Sequence, residues 1–135
     1  MITLSRADFE TLVEQAVETL PRRFKDLMKN VAVMVEDFPS PEILRDMGFR
    51  SRWDLLGLYH GVPYEHRGSS YGNVPPDVIL LFQKPIERIC ETEEDVGAQI
   101  RETVIHEVAH YFGFSEEDLG RVERETRPKN KKERR

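Results

Sequence analysis

Two of the four histidines in this 135-residue chain lie one helical turn apart in the stretch His106–Glu116, which reads H-E-x-x-H-x-x-G-x-x-E. On a helix, residues i and i+4 share a face, so His106 and His110 can present neutral imidazoles to one Zn2+. Glu107 stands beside the first histidine, where a carboxylate can act as general base toward a metal-activated water. Gly113 suits the left-handed backbone that ends a helix, and the reversal would bring Glu116 back as a third ligand. Glu117 and Asp118 are the next candidates, and all three acids also sit where a helix start favours negative charge without any metal. Two histidines, a carboxylate and an open position describe a catalytic rather than a structural zinc site.

The other histidines, His60 and His66, lie on or beside the glycine- and proline-rich stretch 61–76, with Tyr64, Arg67 and Tyr71. A long irregular stretch in a small domain often carries function. Tyr64, Arg67 and Tyr71 are candidate substrate contacts, since a tyrosine hydroxyl or an arginine can steady an oxyanion. Packing or solvation is the simpler role for each. Cys90 follows an apolar connector and reads as a packed side chain.

The elements needed to hold such a site are also legible. Thr92, with Asp95 three residues on, caps a helix over 93–112. Its apolar positions Val96, Ile100, Val104, Val108 and Tyr111 form a stripe. At about 100° per residue, Val104 and Val108 lie roughly opposite the two histidines, so one face serves a core and the other a cleft. Upstream, Ser5 and Asp8 open a helix over 6–19 that ends at Pro21, and Phe24, Leu27 and Met28 suggest a further helical turn. Val31–Phe38 reads as a strand. Ser40 and Pro41 start a short helix that stops at Gly48. Leu55–His60 reads as a second strand, where Gly57 signals a bulge or a close backbone approach. Val78–Phe82 is continuously apolar, as a central strand buried on both faces would be. Residues 84–90 read as a connector. Ser115, with Asp118, caps a last helix bounded by Pro128.

Length suits one core, and with 39% hydrophobic and 33% charged residues the composition is that of a globular domain. No apolar run reaches the roughly 20 residues of a membrane span, no signal peptide is evident, and a single cysteine fits a reducing cytoplasm. The net charge of −5 is uneven: the chain from Arg121 onward carries +5, leaving −10 for the rest. The basic end reads as a solvated tail, with an acidic or nucleic-acid partner as the alternative. It contains no aromatic residue on which a base could stack.

The motif, together with Leu55–Gly61, the segment around Arg67, Pro76–Phe82 and Pro85–Glu87, resembles a family of small bacterial zinc metallopeptidases with a minimal zincin fold. The spacing to the third ligand is similar to that of metzincins. Those enzymes usually place His there and the small family Asp, where this chain has Glu116; no methionine follows Met47, so the metzincin methionine turn is absent. The resemblance implies an α/β (α+β) fold with a small mixed sheet of three or four strands packed by helices; composition and charge place this single domain over residues 1–128, followed by a flexible basic tail over 129–135. It implies Zn2+ on His106, His110 and Glu116, and Glu107 as the base in hydrolysis of a peptide or protein substrate. The alternative is a non-catalytic metal-binding or interaction module that keeps the fold. Neither a membrane nor nucleic acid is expected as a partner.

Overall fold

The computed structural model describes residues 1–61, 76–115 and 117–121. Its elements run in order α1 (Arg6–Glu18), α2 (Arg22–Leu27), β1 (Val31–Glu36), α3 (Pro41–Met47), β2 (Gly57–His60), β3 (Asp77–Phe82), α4 (Gln83–Arg88) and α5 (Glu93–Tyr111). A final helical stretch, α6, covers 117–121. The basic tail and most of the 61–76 segment lie outside the described residues. No helix among the described residues is long and apolar enough to cross a membrane.

Sequence chemistry accounts for the helix boundaries. Ser5 and Ser40 accept from the amides of Asp8 and Ile43, satisfying donors that the first helical turn leaves unpaired. Gly48 ends α3 at φ +80°, a left-handed conformation that costs glycine little. Thr92 and Asp95 form a reciprocal capping box at α5. Hydrogen bonds from the Glu91 and Thr92 amides hold the Asp95 carboxyl below its ordinary range. Its contribution is therefore complete above the usual carboxylate pKa and is lost as pH falls through the lower folded value.

Among the described residues the sheet is mixed and three-stranded, in the order β1-β3-β2. β1 runs parallel to β3, pairing Val31 with Asp77 through Glu36 with Phe82. β2 runs antiparallel to it, pairing Gly57 with Leu81 and His60 with Val78. The apolar run 78–82 is thus the central strand, but its burial alternates. Ile79 and Leu81 are fully enclosed, while Val78 and Leu80 on the opposite face are only half-buried. The helices supply one apolar layer, so a continuously apolar strand is here covered fully on one side only.

α5 packs on β2 and β3, and α1, α2 and α4 pack on α5 in turn. Val96, Ile100, Val104 and Val108 form its buried stripe, joined by Ile105 and Ala109. Tyr111, expected on that stripe, is half exposed; it lies instead against Tyr59. Residues 84–90, read as a connector, overlap the short helix α4, with Pro85 in its first turn, where the missing amide hydrogen is tolerated. α4 is fastened by buried polar groups that no periodicity reveals. Glu87 Oε2 accepts from the Leu4 amide at 3.0 Å and from Gln83 Nε2 at 2.8 Å. The Gln83 side chain also accepts from Arg6 Nε at 2.8 Å, and Arg6 reaches Asp37 at 2.6 Å.

Gly57 marks the closest approach of strand to helix. A Cβ there would meet Thr103 Cγ2 at 2.6 Å and the Leu80 carbonyl oxygen at 3.0 Å. Gly57→Ala is therefore expected to lower stability by about 1–3 kcal/mol, as overpacking does. Thr103→Ser, which deletes the obstructing methyl, should restore part of the loss in the double variant. Urea denaturation of the two single variants and the double variant measures both effects.

Candidate metal centre

Helix α5 carries both histidines of the motif on the face away from its apolar stripe. The rings of His106 and His110 stand edge to face, with 6.1 Å between centroids and 84° between planes. His106 and Glu107 are half-buried, and His110 is exposed. Metal–nitrogen bonds of about 2.0–2.1 Å let one ion span imidazoles at this separation, so the donor types and placement fit a zinc ion in respect of two ligands.

Glu107 is oriented by the neighbouring strand. Its Oε1 accepts the backbone N–H of Tyr59 on β2 at 2.9 Å. Tyr59 is fixed in turn at both ends of its side chain. Its hydroxyl donates to Asp77 Oδ2 at 2.6 Å in a buried contact. Its ring stacks on Tyr111, one residue beyond His110, with centroids 4.0 Å apart and planes 17° apart. Phe112 packs edge-on against the same ring. Gly61 completes the clamp, because a Cβ at that position would fall 2.7 Å from the Tyr111 hydroxyl. The end of the histidine-bearing helix is thereby locked to the strand that holds Glu107.

The sequence does not mark Tyr59, Asp77 or Tyr111 as site residues. One signal was present. Gly57 and Tyr59 share a strand face by alternation, and the close approach expected at Gly57 puts Tyr59 beside the helix as well. Asp77, immediately before an apolar strand, carries no signal of its partner.

Gly113 adopts φ +79°. The Phe114 amide donates to Ala109 O at 2.8 Å and the Gly113 amide to His110 O at 3.2 Å. These two bonds form a Schellman motif, which provides the chain reversal expected there. Glu116 lies outside the described residues. Glu117 is exposed. Asp118 is engaged as a cap: it accepts from the Ser115 amide, its own amide donates to Ser115 Oγ at 3.0 Å, and it pairs with Arg121 at 3.4 Å. The hydrogen bonds with Ser115, first that of its hydroxyl, hold the Asp118 carboxyl below its ordinary range. Among the described residues, no group of three or more His, Cys, Asp or Glu side chains is assembled as a metal cluster. His60 is exposed at the end of β2, and Tyr64, His66, Arg67 and Tyr71 lie outside the described residues. Cys90 is buried, which raises its thiol pKa.

Beside His106 and Glu107 opens a cleft of about 210 Å³. Leu55, Leu56 and Gly57 form one wall, and Gln99, Glu102 and Thr103 of α5 form the other.

A family model described as zincin-like metallopeptidase matches residues 28–126. The chain belongs to the zincin-like metallopeptidase family. The matched span includes the whole sheet, the cleft and helix α5. Among solved structures, this zincin-like chain is similar to a conserved hypothetical protein from Thermus thermophilus. The two are 26% identical, the match covers 80% of this chain and 94% of the other, and the TM-score is 0.50. A comparison with curated proteins gave no match. Membership of the family implies zinc binding and peptide or protein substrates in general terms.

The Tyr59 clamp makes a direct prediction. Tyr59→Phe removes the hydroxyl donor that Asp77 uses inside the fold, and is expected to lower stability by about 1.5–3 kcal/mol, the range for a hydrogen bond to a charged group. Denaturant unfolding with an unchanged m-value identifies this as a native-state loss.

Proposed function

We propose that this chain hydrolyses peptide bonds, with Zn2+ held by His106, His110 and Glu116 and with Glu107 as general base. The observation that carries the proposal is the placement of Glu107. It follows His106 on α5, and Oε1 is pinned by the Tyr59 amide. A carboxylate fixed through one oxygen keeps the other for proton transfer. Zinc at the two imidazoles would supply Lewis acidity, lowering the pKa of water toward about 7 and polarising a carbonyl.

The remaining chemistry belongs to the protein. Oε2 of Glu107 takes the proton of the attacking water and then delivers it to the departing amine. The bond to the Tyr59 amide keeps the carboxyl in position through both transfers, which is the preorganisation that general acid–base catalysis needs. β2 is an edge strand among the described residues, and an extended substrate can lie along such an edge. The lone buried cysteine is consistent with a reducing cytoplasm. The domain is proposed to end near residue 128, with a solvated basic tail over 129–135.

A second reading, a metal-binding module without catalysis, is favoured by the small volume of the cleft. Glu107→Gln separates the two. With zinc-loaded full-length protein and a peptide library, the substitution should leave metal content unchanged and lower cleavage by about 10²–10⁴-fold, the usual worth of a positioned acid–base group. His106→Ala and His110→Ala should each lose metal, measured as zinc per chain by mass spectrometry. Stoichiometric zinc on a wild-type chain that cleaves nothing would establish the module reading instead.

A further inference from the structure

The cleft beside Glu107 has a chemical bias. Its apolar wall is Leu55 and Leu56, with Gly57 between that wall and α5. Its polar groups come from α5, and its charged ones are the carboxylates of Glu102 and Glu107. Glu102 is exposed at the rim and makes no ion pair among the described residues. Gln99 donates one amide hydrogen to Thr103 Oγ1 at 3.1 Å and keeps a second amide hydrogen and its carbonyl oxygen, so it is neutral to the sign of a ligand. Among the described residues, no lysine or arginine lines the cleft. Arg101, the nearest cation in sequence, is turned away and donates to Thr19 O at 3.0 Å. The chain before Arg121 carries −10 in total.

An apolar wall ending at an exposed carboxylate matches a long aliphatic stem ending in a cationic donor. Lysine and arginine have that form: an apolar stem that packs and a cationic head that donates and cannot accept. An acidic side chain would meet Glu102 as a like charge. A neutral aliphatic side chain would fill the wall but leave the carboxylate to water.

We propose that this cleft selects peptides carrying a lysine or arginine beside the bond to be cut, with Glu102 as the residue that determines the preference. The inference rests on the reading of the adjacent site as a peptide-binding one. Glu102 is four residues, one helical turn, before His106 and so lies on the same face of α5. A basic side chain bound there would place its own backbone next to Glu107.

The test uses zinc-loaded full-length protein and peptides that differ at one position, scanned in turn along the sequence, as Lys, norleucine or Glu. At one position, cleavage of the Lys peptide should exceed that of the norleucine peptide by roughly two- to fivefold in kcat/KM, the size expected of one partly exposed ion pair. Raising the salt concentration should shrink the difference. Glu102→Gln should abolish it, and Glu102→Lys should reverse it in favour of the Glu peptide. Cleavage with no basic preference, or with one that Glu102 variants do not alter, overturns the inference and leaves the hydrolytic reading standing. If nothing is cleaved, fluorescence anisotropy with labelled forms of the same peptides decides. Tighter binding of the Lys peptide that disappears in Glu102→Gln upholds the inference while hydrolysis fails. Equal binding, or none, overturns it.

Discussion

Everything near the candidate site depends on how closely α5 can lie against β2. Two packed backbones are normally held apart by the side chains between them. Here Gly57 contributes none, and Thr103 of the helix occupies the space a Cβ would need. The strand then runs close enough for the Tyr59 amide to reach a side chain on the helix at 2.9 Å. A backbone amide has no rotamers, so a carboxylate held by one inherits the rigidity of the sheet. The aromatic contacts of Tyr59 with Tyr111 and Phe112 fix the far end of the same interface. Helix and strand are thus registered at both ends of the motif.

The second feature is the number of charged and polar groups enclosed away from the site. Gln83 and Glu87 are fully buried, and they hold the N-terminal segment and Arg6 against α4. Burying such groups is unfavourable unless they find partners. Glu87 Oε2 has two; Oε1 has no hydrogen bond, and its nearest cation is Lys84 at 3.6 Å. The network sits where short elements with little apolar surface meet, and directional bonds there fix what packing alone would leave loose. Its geometry ties α1 and the start of the chain to α4, which follows β3 directly, and so joins the N-terminal third to the sheet that carries the site.

The function proposed follows from α5 being two helices in one. Its apolar stripe belongs to the core, the imidazoles and Glu102 lie on another face, and Glu107 sits where the helix meets β2. The capping box at one end and the Schellman turn at the other set its length. The cleft therefore joins the chemistry at Glu107 to the selectivity assigned to Glu102. The family match supports metallopeptidase chemistry in general, and the placement of Glu107 and the cleft makes the proposal specific to this chain.

Local order in this protein was written in the sequence. The caps at Ser5, Ser40 and Thr92, the glycine stops at Gly48 and Gly113, and the two-faced pattern of α5 are short-range features. Each is fixed by residues within a turn or two, so each could be read without knowing the fold. The strands were legible for the same reason, and Gly57 announced a close approach without naming its partner. What joins residues far apart in the chain was decided only by tertiary structure. Tyr59 reaches Glu107 across 48 positions, Gln83 reaches Leu4 across 79, and Leu4 reaches Glu87 across 83. The one-sided burial of β3 is not legible in its sequence, because hydrophobicity says that a strand can be covered, whereas only the layering of helices says on how many sides. α4 went unread because its stability comes from buried partners rather than from period or caps. Composition and spacing assign residues to elements, but a hydrogen bond between two elements exists only once packing has brought them within reach.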